Sequence, residues 1–269
     1  MDIERILYIS QQISPYLPEN RMSVFNRALP QSIQEKGIEV RIFMPKYGLI
    51  NERRNQLHEV IRLSGMNVVI DDADHPLLIK VATLQPGRMQ VYFIDNEDYF
   101  QRHSIPGLET DVYPEENDER IIFFTRSVIE IVKKLRWTPA VIHCSGWISS
   151  LIPLYLRTLY KNDPAFAGIK IVFSIMRDHF RGNLNERMVD KLIADGVDEA
   201  DLKLADTRLI GHADLYRIAF DYSDAICKPF SDATDTLVDL AKATGKPFLA
   251  GCTSENFQQK FYDFYHSLV

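Results

Sequence analysis

The sequence holds only three cysteines, Cys144, Cys227 and Cys252, far apart and odd in number, so no disulfide framework is implied. Cys144 and Cys227 sit among apolar residues that read as strand ends, the usual setting of small core residues. No apolar run approaches the roughly 18 residues that span a bilayer. The opening MDIERILYIS carries Asp2, Glu4 and Arg5 before a short apolar run and does not read as a signal peptide, so a reducing cytoplasm is the expected location. Positive charge is in deficit: 31 Lys and Arg against 37 Asp and Glu give no footprint for nucleic acid or for an anionic membrane surface. Only 12 Gly and 13 Pro among 269 residues exclude collagen-like and low-complexity chains.

Standard catalytic signatures are missing as well. There is no G-x-G-x-x-G and no G-x-x-x-x-G-K-[ST], which removes the usual dinucleotide loop and the P-loop. No H-E-x-x-H or paired cysteine spacing points to zinc, and no G-x-S-x-G elbow presents a serine nucleophile. Two acidic groups, Asp71-Asp72-Asp74 and Glu115-Glu116-Asp118-Glu119, have the oxygen ligands of a hard-cation site. They fit better a solvated turn and a helix N-terminus that favours negative charge. No cofactor and no metal are expected.

What is present is a repeated switch between short apolar runs and helical periods, the pattern of βα units. Arg5–Ser10, Glu39–Met44, Ala140–Cys144, Lys170–Ser174, Ala225–Lys228 and Pro247–Leu249 read as strands. Helices are predicted near Met22–Lys36, Glu119–Leu135, Ile148–Tyr160, Glu186–Ala194, Asp214–Tyr222, Ala233–Ala243 and Glu255–His266. Met66–Ile70, Leu77–Leu84 and Met89–Ile94, divided by Asp71-Asp72 and Gln85-Pro86-Gly87, read as antiparallel hairpin strands. The expected fold is α/β: one Rossmann-like, doubly wound, mostly parallel sheet with a β-hairpin insertion.

In such sheets ligands sit beyond the carboxyl ends of the strands. Three loops qualify: Gln11–Arg21 with Tyr16, Glu19, Asn20 and Arg21; Ser145-Gly146-Trp147, preceded by His143; and Met176–Gly182 with Arg177, His179 and Arg181. Tyr16 and Trp147 have the rings to stack on a sugar, and the basic side chains suit phosphate or hydroxyls. A Trp that opens a helix also serves core packing, and basic side chains in loops also serve solvation.

At these loops the chain resembles the N-terminal half of bacterial glycogen and starch synthases, retaining glucosyltransferases of the GT-B fold with two Rossmann-like domains. Ala28-Leu29-Pro30 and Gly37-Ile-Glu-Val-Arg-Ile-Phe-Met-Pro-Lys-Tyr-Gly48 match the family's ALP…GHEVRVVMPRYG. Val91-Tyr-Phe-Ile-Asp95, Tyr99-Phe100-Gln-Arg102, and Glu116-Asn117 with Arg120 follow in order, the last like DNxxRF. Val141-Ile-His-Cys-Ser-Gly-Trp147 leading to Pro153-Leu-Tyr-Leu156 resembles VVHxHDW…PLYL, and Tyr160–Pro164 leads to Gly168–Ser174. The motifs run from residue 5 to about 182 and fade beyond 185. The resemblance implies glucose transfer from ADP-glucose or UDP-glucose to an α-1,4-glucan. It implies ligand contacts at Tyr16, Asn20, Arg21, Asn117, His143, Trp147, Arg177 and His179.

The departures bear on activity. The family's K-x-G-G-L loop, which meets the donor phosphates, falls on Pro18-Glu19-Asn20-Arg21-Met22, without either glycine or the lysine. Close backbone approach to phosphate needs residues without Cβ and open N–H groups. The aspartate of H-D-W falls on Gly146, and the histidine of T-I-H-N on Met176, which cannot donate a hydrogen bond to a hydroxyl. Residues 1–269 are expected to be a single domain of this N-terminal type, without the nucleotide-sugar-binding C-terminal domain. A divergent pseudoenzyme, inactive alone, is the expectation; the alternative is a non-catalytic glucan-binding module, or one that meets a protein partner or a second copy on the old interdomain face.

Overall fold

The computed structural model describes residues 3–101, 114–180, 182–204, 208–232 and 234–269. Arg102, which closes the Tyr99–Arg102 motif, and Arg181 of the third loop lie outside the described residues.

The first half of the chain forms β1 (Arg5–Ser10), α1 (Arg21–Gln34), β2 (Glu39–Pro45), β3 (His58–Glu59), β4 (Met66–Ile70), β5 (Ala73–Leu84), β6 (Met89–Asp95), α2 (Glu97–Phe100) and α3 (Asn117–Leu135). The second half forms β7 (Val141–Ser145), α4 (Leu151–Arg157), β8 (Lys170–Ser174), α5 (Met188–Ala194), α6 (Glu199–Leu202) and α7 (His212–Tyr222). It closes with β9 (Ala225–Cys227), α8 (Asp235–Ala243), β10 (Phe248–Leu249) and α9 (Phe257–Leu268).

The strands order as β10-β9-β8-β7-β1-β2-β6-β5-β3, with β4 paired to β5. Every pairing from β10 to β6 is parallel, whereas β5 runs antiparallel to β6, β3 and β4. The expected hairpin insertion is therefore present, and its last strand does double duty: β6 closes the hairpin and is also a parallel member of the main sheet. The continuous apolar runs of β1 and β7 follow from burial on both faces, since α1 packs with α9 while α4 packs with α3 and α7. In α3 the buried set is wider than one stripe: Ile121, Phe124, Val128 and Ile131 are joined by Ile122, Phe123 and Ile129, because β4 and α5 cover a second face.

The short β3, α2 and α6 are additions to the expected elements, and one predicted helix is divided. The stretch Ile148–Tyr160 divides into a 3-10 turn at Trp147–Ser149 and the short α4. After α4 the chain turns so that Tyr160 packs edge-on against Phe166 (5.9 Å between centroids) and donates to Glu130 (2.9 Å).

From β1 the chain winds outward through β2 to β6, returns to β7 beside β1, and then winds the other way to β10. The direction reverses between β1 and β7. Residues 11–20 and 146–150 therefore flank the crevice where ligands of such sheets bind.

Candidate functional site

At that crevice half of the expected ligand contacts are turned inward. Trp147 is fully buried; its ring packs edge-on against Phe180 (5.1 Å) and its backbone N–H donates to Asp178 Oδ2 (2.6 Å). His143 faces α9: Nδ1 meets the Tyr265 hydroxyl at 2.5 Å, Nε2 meets Ser174 Oγ at 2.7 Å, and the ring stacks on Phe261. Burial lowers its pKa to about 3, so it is a neutral hydrogen-bonding core residue. Tyr16 is buried edge-on against Phe93 (4.9 Å), and burial raises its hydroxyl pKa to about 12. Asn117 is buried at the start of α3, where its Oδ1 accepts from Arg120 Nη1 (2.8 Å). Met176 is buried below the Tyr216 hydroxyl. All of these side chains are buried, so none offers an open face to a sugar.

Gly146 explains much of this packing. Its φ of +88° lies in the left-handed region, and a Cβ there would stand 2.8 Å from Gln11 Cβ and 3.3 Å from Asp178 Oδ2. The place of the family's aspartate is filled from neighbouring loops. Asp178 is the residue that the sequence reading passed over, although it lies inside the third loop. Its carboxylate accepts from the Tyr216 hydroxyl (2.5 Å) and the Trp147 N–H, and meets His212 Nε2 at 3.2 Å. The loops after β7 and β8 are thus tied to the start of α7.

The loop 18–22 is organised around a helix cap. Asn20 caps α1: its Oδ1 accepts from the Ser23 N–H (2.9 Å), Ser23 Oγ accepts from the Asn20 N–H (2.9 Å), and Asn20 Nδ2 donates to Gln12 (2.6 Å). This capping box uses the amides that a glycine-rich loop would leave open.

The expected residues that stay exposed are Asn20, Arg21, Arg177 and His179. Arg21 Nη1 lies 2.8 Å and Arg177 Nη1 lies 3.5 Å from the same oxygen of Asp232. Beside them a cleft of about 580 Å³ opens between α1, the loop after β9 and the start of α9, walled by Phe25, Phe230 and Phe257. Phe230, Phe257 and Asp232 come from the polar C-terminal third, where the sequence carried no motif to single them out.

The two acidic groups are balanced within the chain. Asp71 pairs with Arg187 (2.7 Å), and Lys191 Nζ stands 2.6 Å from both Asp118 and Glu119. Among the described residues no cluster of His, Cys, Asp and Glu has the grouping of a metal site, and no helix is long and apolar enough to cross a membrane.

Comparison with known proteins agrees with the motif order. The family model for the starch synthase catalytic domain matches residues 5–228, past the point where the motifs fade. A glycogen synthase of Chlorobium luteolum is 40% identical over 200 residues, covering 73% of this chain and 40% of that one. A glycogen synthase of Chlorobium limicola is 35% identical over 259 residues, covering 92% and 52%. This chain spans about half the length, or less, of these curated relatives. The catalytic domain of Starch Synthase IV from Arabidopsis thaliana, bound to ADP and acarbose, shares the fold with a TM-score of 0.73 at 17% identity, over 95% of this chain and 53% of that one. The β1–β7 reversal, the ordered motifs and the matched span together make one assignment: the chain belongs to the starch synthase catalytic domain family.

Proposed function

We propose that this chain is a non-catalytic member of its family, one that does not by itself transfer glucose from ADP-glucose or UDP-glucose to an α-1,4-glucan. The observation that carries the reading is the filled space at Gly146, where Gln11 and Asp178 leave no room for a carboxylate directed at a sugar. The buried Trp147, His143 and Met176 support it, as does the capping role of Asn20. Glycosyl transfer needs groups aimed at developing charge on the sugar, and loss of such groups lowers rates by orders of magnitude. The three unpaired cysteines suit the expected reducing cytoplasm.

The test is incubation of the purified chain with ADP-glucose or UDP-glucose and glycogen, following nucleotide release. Release no faster than in a protein-free control is expected, and sustained turnover that grows with protein concentration would sink the reading. Ala variants of Trp147 or His143 are unsuitable controls here, because both side chains are core and their loss reports folding.

A second reading, retained glucan binding, is favoured by the exposure of Asn20, Arg21, Arg177 and His179 at the carboxyl edge of the sheet. The Arabidopsis domain was solved with ADP and acarbose, so nucleotides and maltooligosaccharides are the ligands to titrate. No binding at millimolar maltooligosaccharide removes that reading. Val24, half exposed on α1, is the apolar contact through which a partner or a second copy would meet this face, and light scattering tests self-association.

A further inference from the structure

The cleft beside α1 has a largely apolar wall. Its body is aromatic and aliphatic: Phe25 packs against Phe230 (5.4 Å) and Phe257 (5.9 Å), and Val24, Ala28 and the half-buried Cys252 complete the wall. Asn20, Ser231, Thr253 and Ser254 add polar groups to the lining, but a sugar would still bury hydroxyls against the three rings, an unfavourable exchange for each one left unpaired. An aromatic body instead gains edge-to-face contacts with the three rings and a polarisable thiol neighbour.

The mouth carries charge. Arg21 and Arg177, 66% and 77% exposed, converge on Oδ2 of Asp232, whose Oδ1 is buried without a hydrogen-bond partner. With Glu19 also in the lining the charges balance, but most N–H donors of Arg21 and Arg177 stay open, in the planar geometry that suits carboxylate or sulfonate. Glu19, also at the rim, sets an upper limit on ligand charge: a nucleoside diphosphate would face both Glu19 and Asp232.

We infer that this cleft binds a small aromatic monoanion, with its rings among Phe25, Phe230 and Phe257 and its acidic group on Arg21 and Arg177. The inference goes beyond the function proposed above.

The experiment titrates the intact chain with anilinonaphthalenesulfonate, a fluorescent aromatic monoanion, and competes it with naphthoate, uncharged naphthylmethanol, ADP and maltotriose. One saturable site is expected, displaced by naphthoate and at least about fivefold less well by naphthylmethanol, since a charge-assisted contact is lost. The Arg21→Ala, Arg177→Ala double variant should bind about tenfold more weakly, and Asp232→Ala should bind several-fold more tightly by removing the internal competitor. Val24→Trp should block the cleft and abolish saturable binding. Unchanged affinity in both charge variants would overturn the inference, as would binding that survives Val24→Trp. Displacement by ADP or maltotriose at lower concentration than naphthoate would overturn it too, and would assign the cleft to the family's own ligands.

Discussion

Gly146 and Asp178 share one space: a Cβ on Gly146 would lie 3.3 Å from Asp178 Oδ2, with the carboxylate already held by Tyr216 and the Trp147 N–H. The loop after β8 thereby supplies the carboxylate that stands beside the loop after β7, and it points into packing rather than toward solvent, with a side chain only 3% exposed.

Gly146→Ala should destabilise the fold by about 2–5 kcal/mol, from the positive φ and the 2.8 Å approach to Gln11 Cβ together. Gly146→Asp should be worse and should restore no nucleotide release. Urea denaturation measures the first claim; a variant as stable as the parent would show that the two loops can move apart.

His143 makes acid stability pH-dependent. The unfolded imidazole takes up a proton below its ordinary value of 6.5, whereas the folded one, held neutral by burial, does so only near about 3. The unfolded state binds more protons in that window, so stability is lost as pH falls through it, by up to about 1.4 kcal/mol per pH unit from this one group. His143→Gln should flatten that slope while lowering stability at neutral pH. Urea midpoints between pH 7 and about 4 give the comparison, and parallel slopes would refute the assignment.

Lys191→Met should cost about 3–5 kcal/mol at neutral pH, because Asp118 is left buried without its cation. Burial already raises the Asp118 pKa against the opposing effect of Lys191. In the variant the native carboxyl would bind a proton more readily than the unfolded one, so the deficit should narrow as pH falls. Thermal denaturation at neutral and mildly acidic pH tests this sign.

Asn20 separates a capping role from a ligand role. Asn20→Ala should lower stability by about 1 kcal/mol, and Asn20→Ser should recover most of it, since serine also caps. Equal melting temperatures for all three proteins would mean that the capping box contributes nothing.

Much of the fold was legible in the residues. AVIHC and IKIVFSI have the continuous apolar character of strands covered on both faces, and the strands they hold, β7 and β8, are parallel members of the sheet. Gly37 correctly marked the end of α1, with a φ of +90°. The double role of β6 was not legible, because a hairpin strand and a parallel strand share the same pattern of two.

The candidate site divided differently. Arg21 and Arg177 stand exposed at the carboxyl edge, as their loops suggested, but sequence spacing could not reveal that Asp232 joins them. Trp147 and Tyr16 have the same ring chemistry whether they stack on a sugar or on Phe180 and Phe93.

The sequence alone determined the main alternation of strands and helices, the family and the loops beyond the strand ends, because each depends on residues close together in the chain; it did not determine the short β3, α2 and α6. Only the tertiary structure decided which of those loop residues meet solvent. His143 is covered by Tyr265, 122 residues later, and Gly146 is closed in by Gln11 and Asp178. Exposure is a property of what folds over a side chain, and here the covering groups come from distant segments whose approach no local pattern encodes.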